Sequence, residues 1–277
     1  MTLKHFFIIL FLVSFTLYSQ SKDKVKVAIT IDDLPFSTYK TLKVEEKNFI
    51  YDKIINTFER EKIQALLFLI GNTYKTTDDQ YLTRIISKGH LLGNHTFSHL
   101  NLNSVSLEQY TKDILKCEKL VSKFSNNKKY FRFPYLTEGN SKEKVDGIYS
   151  FFSENNYTPV PVSLFCTDSN FASAFEKAFT AKNTSEMDKI AKEYLSDFRK
   201  NAKNMIDFAK KHTRKNPGHI LLFHMSLLSA YTIDDLIKIC KEFNMDFVTI
   251  ENILQEDLYK KTPKYYGGAG YTWFERF

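Results

Sequence analysis

Two histidines and two adjacent aspartates are the side chains of this chain whose types and spacing best suit chemistry. His95 and His99 lie four residues apart in the segment GNHTFSH. On a helix, this spacing would put both imidazoles on one face, where they could bind one metal ion, although such a pair is more often a packing or surface feature. Asp32 and Asp33 directly follow the β-branched run VKVAITI. Neighbouring carboxylates repel each other, so a bound cation would relieve a cost at this position.

The histidine spacing also occurs in the zinc protease motif H-E-x-x-H, in which the glutamate is the catalytic base. In this chain, Thr96 occupies the position of that glutamate. The sequence therefore argues against a metalloprotease, and any base or third metal ligand must come from elsewhere in the chain.

The elements that position these residues alternate regularly between strand and helix. Apolar runs predict strands at 25–31, 65–70, 90–92, 130–133, 157–165, 220–223 and 246–250, and apolar stripes predict helices at 44–63, 79–88, 106–124, 140–152, 185–212 and 232–243. Such alternation predicts a parallel sheet or barrel. Parallel strands end at one edge, so we expect the aspartates, the histidines, Arg132 after the fourth strand and His224 after the sixth to converge.

Composition indicates a globular chain, with 43% hydrophobic and 26% charged residues among 277. Residues 1–21 are predicted to be a secretory signal peptide, because Lys4 precedes an apolar run at 6–17 and the small residues Ser19 and Ser21 follow. The run is too short to span a membrane, and no cysteine follows it to carry a lipid anchor. We expect an exported protein, periplasmic or secreted, with residues 22–277 forming one domain.

The C-terminal segment 256–277 is rich in aromatic residues and glycine and holds the only tryptophan, Trp273. We interpret it as an aromatic strap that packs on the domain. Lining of a substrate groove is the alternative.

Charge and cysteine content point to no further partner. The net charge is +7 for the whole chain, which we interpret as a lysine-rich solvated surface, and no nucleic-acid-binding motif accompanies it. Cys117, Cys166 and Cys240 are an odd number without metal-binding spacing, so the chain lacks a disulfide framework, and at most one bridge could form.

Four segments together resemble the polysaccharide deacetylase family, the NodB-type domain of carbohydrate esterase family four. They are ITIDDLP, GNHTFSH, FRFPYL and ILLFH, in the family's order. The first three are specific in combination, whereas the fourth is weak alone. The resemblance covers roughly residues 25–255 and implies an α/β fold, a distorted (β/α) barrel in a single domain.

The resemblance implies that Asp33, His95 and His99 are metal ligands and that Asp32 is the catalytic base. Two imidazoles and one carboxylate with an open position agree with a catalytic divalent metal site, for which zinc is the first choice and cobalt or nickel are alternatives.

Three further roles follow from the same resemblance. The backbone N–H of Tyr135 would stabilise an oxyanion, His224 would protonate the leaving amine, and Arg132 would orient Asp32 and keep it ionised. Each assignment has a structural alternative: Asp33 as a turn residue, Arg132 in a surface ion pair, and His224 as a core histidine.

The implied function is metal-dependent removal of N-acetyl groups from an amino-sugar polymer, such as peptidoglycan, chitin or poly-N-acetylglucosamine. The alternatives are an esterase for O-acetylated glycans of the xylan type and a non-catalytic glycan-binding relative. The second is motivated by two departures from the family pattern. Phe165 stands where the family has an Asp that pairs with the arginine, and Ser169 stands where a Trp lines the substrate pocket. Arg132 then lacks that partner unless Asp168 replaces it.

Overall fold

A computed structural model describes residues 24–125, 128–267 and 272–277. The predicted signal peptide, residues 1–21, lies outside the described residues. Within the described ranges, no helix combines the length and apolar character that a membrane crossing needs.

Strands and helices alternate along the described ranges. The strands are β1 Val25–Leu34, β2 Ala65–Leu69, β3 Leu91–Asn94, β4 Lys129–Phe131, β5 Tyr157–Pro159, β6 Leu164–Phe165, β7 His219–His224 and β8 Met245–Phe247. The helices are α1 Val44–Glu61, α2 Asp79–Ser87, α3 Leu107–Val121, α4 Lys142–Asn155, α5 Asp168–Thr180, α6 Thr184–Thr213, α7 Leu227–Glu242 and α8 Ile250–Leu254.

These strands form one parallel sheet in the order β5-β4-β3-β2-β1-β7-β6, and β8 pairs with the start of β1. Strand β1 is the centre of the sheet, because it pairs with β2 on one side and with β7 on the other. The sheet curls into a half-barrel whose edges are β5 and β6. The predicted α/β fold, a distorted (β/α) barrel, is confirmed.

Two buried clusters cover the two faces of β1, whose side chains alternate between them. Ile29 packs with Ile54 of α1 and Ile233 of α7 in the outer cluster. Ala28 belongs to the inner cluster, where the C-terminal residues Trp273 and Phe274 are also buried. By this alternation, Thr30 and Asp32 also belong to the inner face. That face is therefore covered partly by the end of the chain.

Side-chain caps fix the starts of α3 and α4. Ser106 and Gln109 form the reciprocal capping box that begins α3. Ser141 caps α4 by accepting the Lys144 N–H, so this helix begins at Lys142, two residues after its predicted start, whereas the Asn140 amide donates to another loop.

The largest difference from the predicted elements lies at 157–165, which is two short strands on opposite edges of the sheet instead of one strand. Pro159 and Pro161 have no N–H group to donate to a ladder, so regular pairing stops between them. Helix α5, which follows β6, has no counterpart among the predicted elements, and α7 begins five residues before the predicted start. The cysteines Cys117, Cys166 and Cys240 are buried and free in the described part of the chain.

His90 and His219 are buried histidines outside the convergent cluster. Burial lowers the pKa of each to about 4, with Glu59 opposing the shift at His90 and Ser163 opposing it at His219. Their pKa in the unfolded chain is about 6.5. Between pH 6.5 and 4, the unfolded state therefore binds protons at these two histidines, whereas the native state does not. Their contribution to the free energy of unfolding is present above pH 6.5 and is lost as the pH falls toward 4.

We predict that His90→Asn flattens the acid side of the stability profile. The asparagine oxygen can accept the Ala65 N–H, as Nδ1 of His90 does at 3.2 Å, but it does not titrate. The slope of the unfolding free energy between pH 5 and 6, measured by urea unfolding, should fall by about 1 kcal/mol per pH unit. His212→Asn, on the exposed face of α6, is the control and should keep the wild-type slope. Equal slopes for His90→Asn and wild type would contradict the prediction.

Candidate functional site

Strand β1 continues three residues beyond its predicted end and carries both aspartates within it. Asp33 lies in the left-handed region at φ 62°, and the pairing of β1 with β2 is irregular between Ile31 and Leu34. In a regular strand, adjacent side chains would point to opposite faces. The irregularity allows Asp32 and Asp33 to line the same pocket. A bulge, not a strand end, presents the pair.

His95 and His99 follow β3 on a loop, so the helical geometry that their spacing would allow is not what brings the two rings together. Thr96 and His99 have φ angles of 61° and 53°, which no helix contains. Asn94 fixes the loop, because its side-chain oxygen accepts the Thr96 N–H and its amide donates to the carbonyl of Ile114, both at 2.9 Å. The two imidazole centroids are still only 4.9 Å apart.

Asp33, His95 and His99 form a group whose candidate ligand atoms all lie within 4.8 Å of one another. Oδ1 of Asp33 is 3.5 Å from Nε2 of each histidine. This buried oxygen has no hydrogen-bond partner among the described residues. Leaving such an atom without a partner is costly, and a cation between the three side chains would remove the cost. Two imidazoles and one carboxylate fit a divalent transition metal.

The protonation states of this group also suit a metal. Burial by itself raises the pKa of Asp33, but interaction with His95 and the charges of His224 and His99 lower it well below its usual range. Burial, together with His95, lowers the pKa of His99 to about 4, against the opposing effect of Asp33. An ionised carboxylate and a neutral imidazole are the forms that bind metal.

The end of β4 orients His95. Nδ1 of His95 lies 2.9 Å from the carbonyl oxygen of Arg132, so Nδ1–H donates to this oxygen and Nε2 keeps its lone pair toward Asp33. Metal-binding histidines are commonly held by such a second contact, which fixes both ring orientation and tautomer.

Asp32 and Arg132 form a buried pair beside this group. Nε of Arg132 is 3.8 Å from Oδ1 of Asp32, and Nη2 of Arg132 donates to Oγ1 of Thr30 at 2.8 Å. Burial lowers the pKa of Arg132, while Asp32 and Glu138 oppose that shift. A guanidinium stays charged at physiological pH. Arg132 is 1% exposed, so the alternative of a surface ion pair is wrong.

Asp168, the first residue of α5, holds His224. Its carboxylate accepts the backbone N–H of His224 at 2.8 Å and lies 3.0 Å from Nδ1 of the ring. Nε2 of His224 then points toward Asp33, 3.9 Å away. Burial alone lowers the pKa of His224, but Asp168, with Asp33 and Asp32, raises it to about 10.

The expectation that Asp168 could replace the family's partner of Arg132 is therefore wrong. Asp168 is 1% exposed and is committed to His224. A carboxylate that opens a helix directly after a short strand is the sequence signal that could have placed it at the site.

An open pocket of about 380 Å³ joins these groups, a size in the range of small-molecule sites. Tyr135 is 52% exposed, and its ring lies 4.6 Å from that of His99. Phe165, Ser169 and Leu222 line the same pocket. The pocket is thus lined by all the site residues named from the sequence except Arg132, which is buried beside Asp32, and both departures from the family pattern lie on its wall.

Comparison with known proteins points to the same family as the sequence motifs do. Residues 19–147 match the family described as Polysaccharide deacetylase. Residues 19–147 thus carry a polysaccharide deacetylase match, to the same family that the sequence motifs resemble. It is 29% identical over 119 residues to a peptidoglycan-N-acetylglucosamine deacetylase from Bacillus cereus, an alignment that covers 43% of this chain and 39% of that protein's length.

Solved structures share the family fold. A chitin deacetylase from Colletotrichum lindemuthianum has a TM-score of 0.56 at 17% identity, with 85% of this chain and 89% of that chain covered. A carbohydrate esterase family four pseudoenzyme from Bacillus anthracis has a TM-score of 0.53 at 15% identity, with 84% and 66% covered. The polysaccharide deacetylase fold is thus shared by a named enzyme and a named pseudoenzyme, so catalysis must be argued from the site.

We predict that the purified protein binds one equivalent of zinc, cobalt or nickel through Asp33, His95 and His99. His95→Ala/His99→Ala should lose that equivalent in elemental analysis and lose the rise in melting temperature that added metal gives the wild type, because binding to the native state stabilises it. His224→Ala is the matched control, since it removes a histidine from the same pocket that is not one of the three candidate ligands. Equal metal content in all three proteins would show that the group is not the site.

Proposed function

We propose that this protein is a metal-dependent hydrolase that removes N-acetyl groups from an amino-sugar polymer, such as peptidoglycan, chitin or poly-N-acetylglucosamine. One observation carries the proposal. Next to the candidate ligand group lie two groups that each have a partner of opposite charge, the carboxylate of Asp32 beside Arg132 and the imidazole of His224 beside Asp168. A hydrolysis that needs both a base and an acid requires such a pair.

A divalent ion held by Asp33, His95 and His99 would polarise the acetyl carbonyl and lower the pKa of a water molecule. The chain's own residues would move the protons. Asp32, which lies beside Arg132, would take a proton from the water as its oxygen attacks the carbonyl carbon. Thr30 and Phe68 hold the guanidinium in place, by a hydrogen bond and by a ring 4.9 Å away.

His224 would complete the reaction. As the carbonyl–nitrogen bond breaks, the departing nitrogen must gain a proton, because an amide anion is a very poor leaving group. The contact with Asp168 keeps Nδ1 protonated and favours the imidazolium form, so Nε2–H can be donated. The products are acetate and a free sugar amine. The backbone N–H of Tyr135, at the mouth of the pocket, would stabilise the oxyanion.

Cell-wall polymers lie outside the cytoplasm, and the predicted signal peptide at 1–21 supports an exported enzyme. The name of the Bacillus cereus relative, a peptidoglycan-N-acetylglucosamine deacetylase, supports the choice of an amino-sugar polymer.

An esterase acting on O-acetylated glycans is the second candidate. An alcohol leaves more easily than an amine, so such an enzyme would have less use for a protonated His224. The buried carboxylate that favours the protonated ring therefore supports the N-acetyl substrate.

We predict that the metal-loaded protein releases acetate from at least one N-acetylated glycan and that Asp32→Asn lowers kcat by about 10²- to 10⁴-fold, because the base is lost while its shape is kept. Metal content should be unchanged in the variant. If the wild type released no acetate from peptidoglycan, chitin or poly-N-acetylglucosamine and yet bound one of them, the non-catalytic glycan-binding alternative would replace the proposal.

We further predict that Asp168→Asn and His224→Ala each lower kcat on N-acetyl glycans by about 10²-fold or more, since both remove the proton donor. The same variants should retain a larger share of any activity on acetylated xylan. Faster acetate release from xylan than from every N-acetyl glycan, with little effect of His224→Ala, would favour the esterase.

A further inference from the structure

The end of the chain is a fixed part of the inner core. The backbone N–H of Trp273 donates to the carbonyl of Val162 at 2.7 Å, and its indole N–H donates to that of Leu258 at 2.8 Å. The ring of Phe274 packs edge-on against His219. Trp273, Phe274 and Arg276 are each at most 4% exposed.

Arg276 is the charged member of this segment, and its charge is buried against the loop that follows β4. One of its guanidinium nitrogens, Nη1, is 3.3 Å from Oε1 of Glu138, and the other, Nη2, donates to the carbonyl of Leu136 at 2.6 Å. Glu138 also accepts the hydroxyl of Tyr149 at 2.7 Å. Apolar residues in place of a buried ion pair are often at least as stabilising, so stability alone does not account for this pair.

The carbonyl that Arg276 holds belongs to a strained stretch of backbone. Tyr135 and Leu136 both lie in the left-handed region, at φ 57° and 55°. Residues with side chains adopt this region only where the surrounding structure fixes them, and strain of this kind concentrates at functional sites. Tyr135 borders the candidate site, so the strain and the site coincide.

The same contacts reach Arg132. Arg132, Leu136, Glu138 and Arg276 line one small cavity of about 10 Å³. Glu138 is the second negative charge that acts on Arg132, after Asp32. Arg276 neutralises Glu138 from the far side, so the charges alternate from the end of the chain to the candidate base.

We propose that Arg276 is a positioning residue of the candidate site. By holding the Leu136 carbonyl and Glu138, it keeps the segment 132–138 in the conformation that places Arg132 against Asp32 and Tyr135 at the pocket mouth. The kinetic part of its test rests on the proposed deacetylase function, whereas the structural part does not.

The test uses the full chain with Arg276→Met/Glu138→Gln. A single Arg276→Met change would leave a buried carboxylate without its cation and could unfold the protein, whereas the double variant removes both charges, and the glutamine can still accept the Tyr149 hydroxyl. We expect a folded protein with wild-type metal content, a kcat for acetate release lowered about ten- to hundredfold, and KM within about threefold, because the misplaced groups act on the transition state.

Trp273→Phe is the matched control. It removes the indole hydrogen bond from the same segment but no polar contact to residues 132–138. It should keep the wild-type kcat. An equal loss of kcat in Trp273→Phe and in the double variant would show a general structural effect and overturn the proposal.

Amide hydrogen exchange gives a readout that is independent of turnover. Amides at 133–138 should exchange at least tenfold faster in the double variant than in the wild type and at the wild-type rate in Trp273→Phe. Unchanged exchange there, or an unchanged kcat in the double variant, would overturn the positioning role. A wild type that releases no acetate from any glycan would reject the proposed function, and the exchange experiment would still decide the role of Arg276.

Discussion

Two adjacent carboxylates at the end of the central buried strand repel each other, and the rest of the site is arranged around that repulsion. Different neighbours offset the repulsion at each carboxylate. Asp32 faces the buried guanidinium of Arg132, whereas Asp33 faces the two imidazoles and keeps one buried oxygen that a cation would satisfy. The bulge at Asp33 makes the two environments separate although the residues are neighbours in sequence. Under the proposed function, this separation would allow Asp32 to act as a base while Asp33 binds the metal.

The residues that support the candidate base and the candidate acid follow strands on either side of β1. Arg132 follows β4, and the carboxylate that holds His224 follows β6, so the groups that favour a base and an acid arrive from opposite halves of the sheet. The half-barrel brings them together because all these strands are parallel and end at one edge. The inner face beneath that edge is closed by the C-terminal segment, and Arg276 there contacts the loop that carries Tyr135.

Strand and helix periodicity was sufficient to predict most elements and the convergence of the site, since side-chain alternation and strand ends are local properties. The features that depend on backbone conformation or distant contacts were not predictable. The loop with His99 in the left-handed region is not predictable from the histidine spacing, because a helix would show the same spacing. The contact between Asp168 and His224 is not predictable either, because it depends on where α5 begins. The sequence did not indicate the contact of Arg276 with Glu138, because the two residues are more than a hundred positions apart.

One protein with this fold is a pseudoenzyme, so departures from the family pattern raise the question of lost catalysis. Where the departing residues lie in this structure decides how they are interpreted. Phe165 and Ser169 replace family residues, yet the groups that the reaction needs are supplied by other residues. Arg132 keeps Asp32 and Thr30 as neighbours, although its buried Nε and Nη1 have no hydrogen-bond partner among the described residues. His224 is held by Asp168. Both lie on the pocket wall. Under the proposed function, a change there would alter which glycan fits while the candidate acid and base stay in place, which argues for redirected specificity and not for lost catalysis.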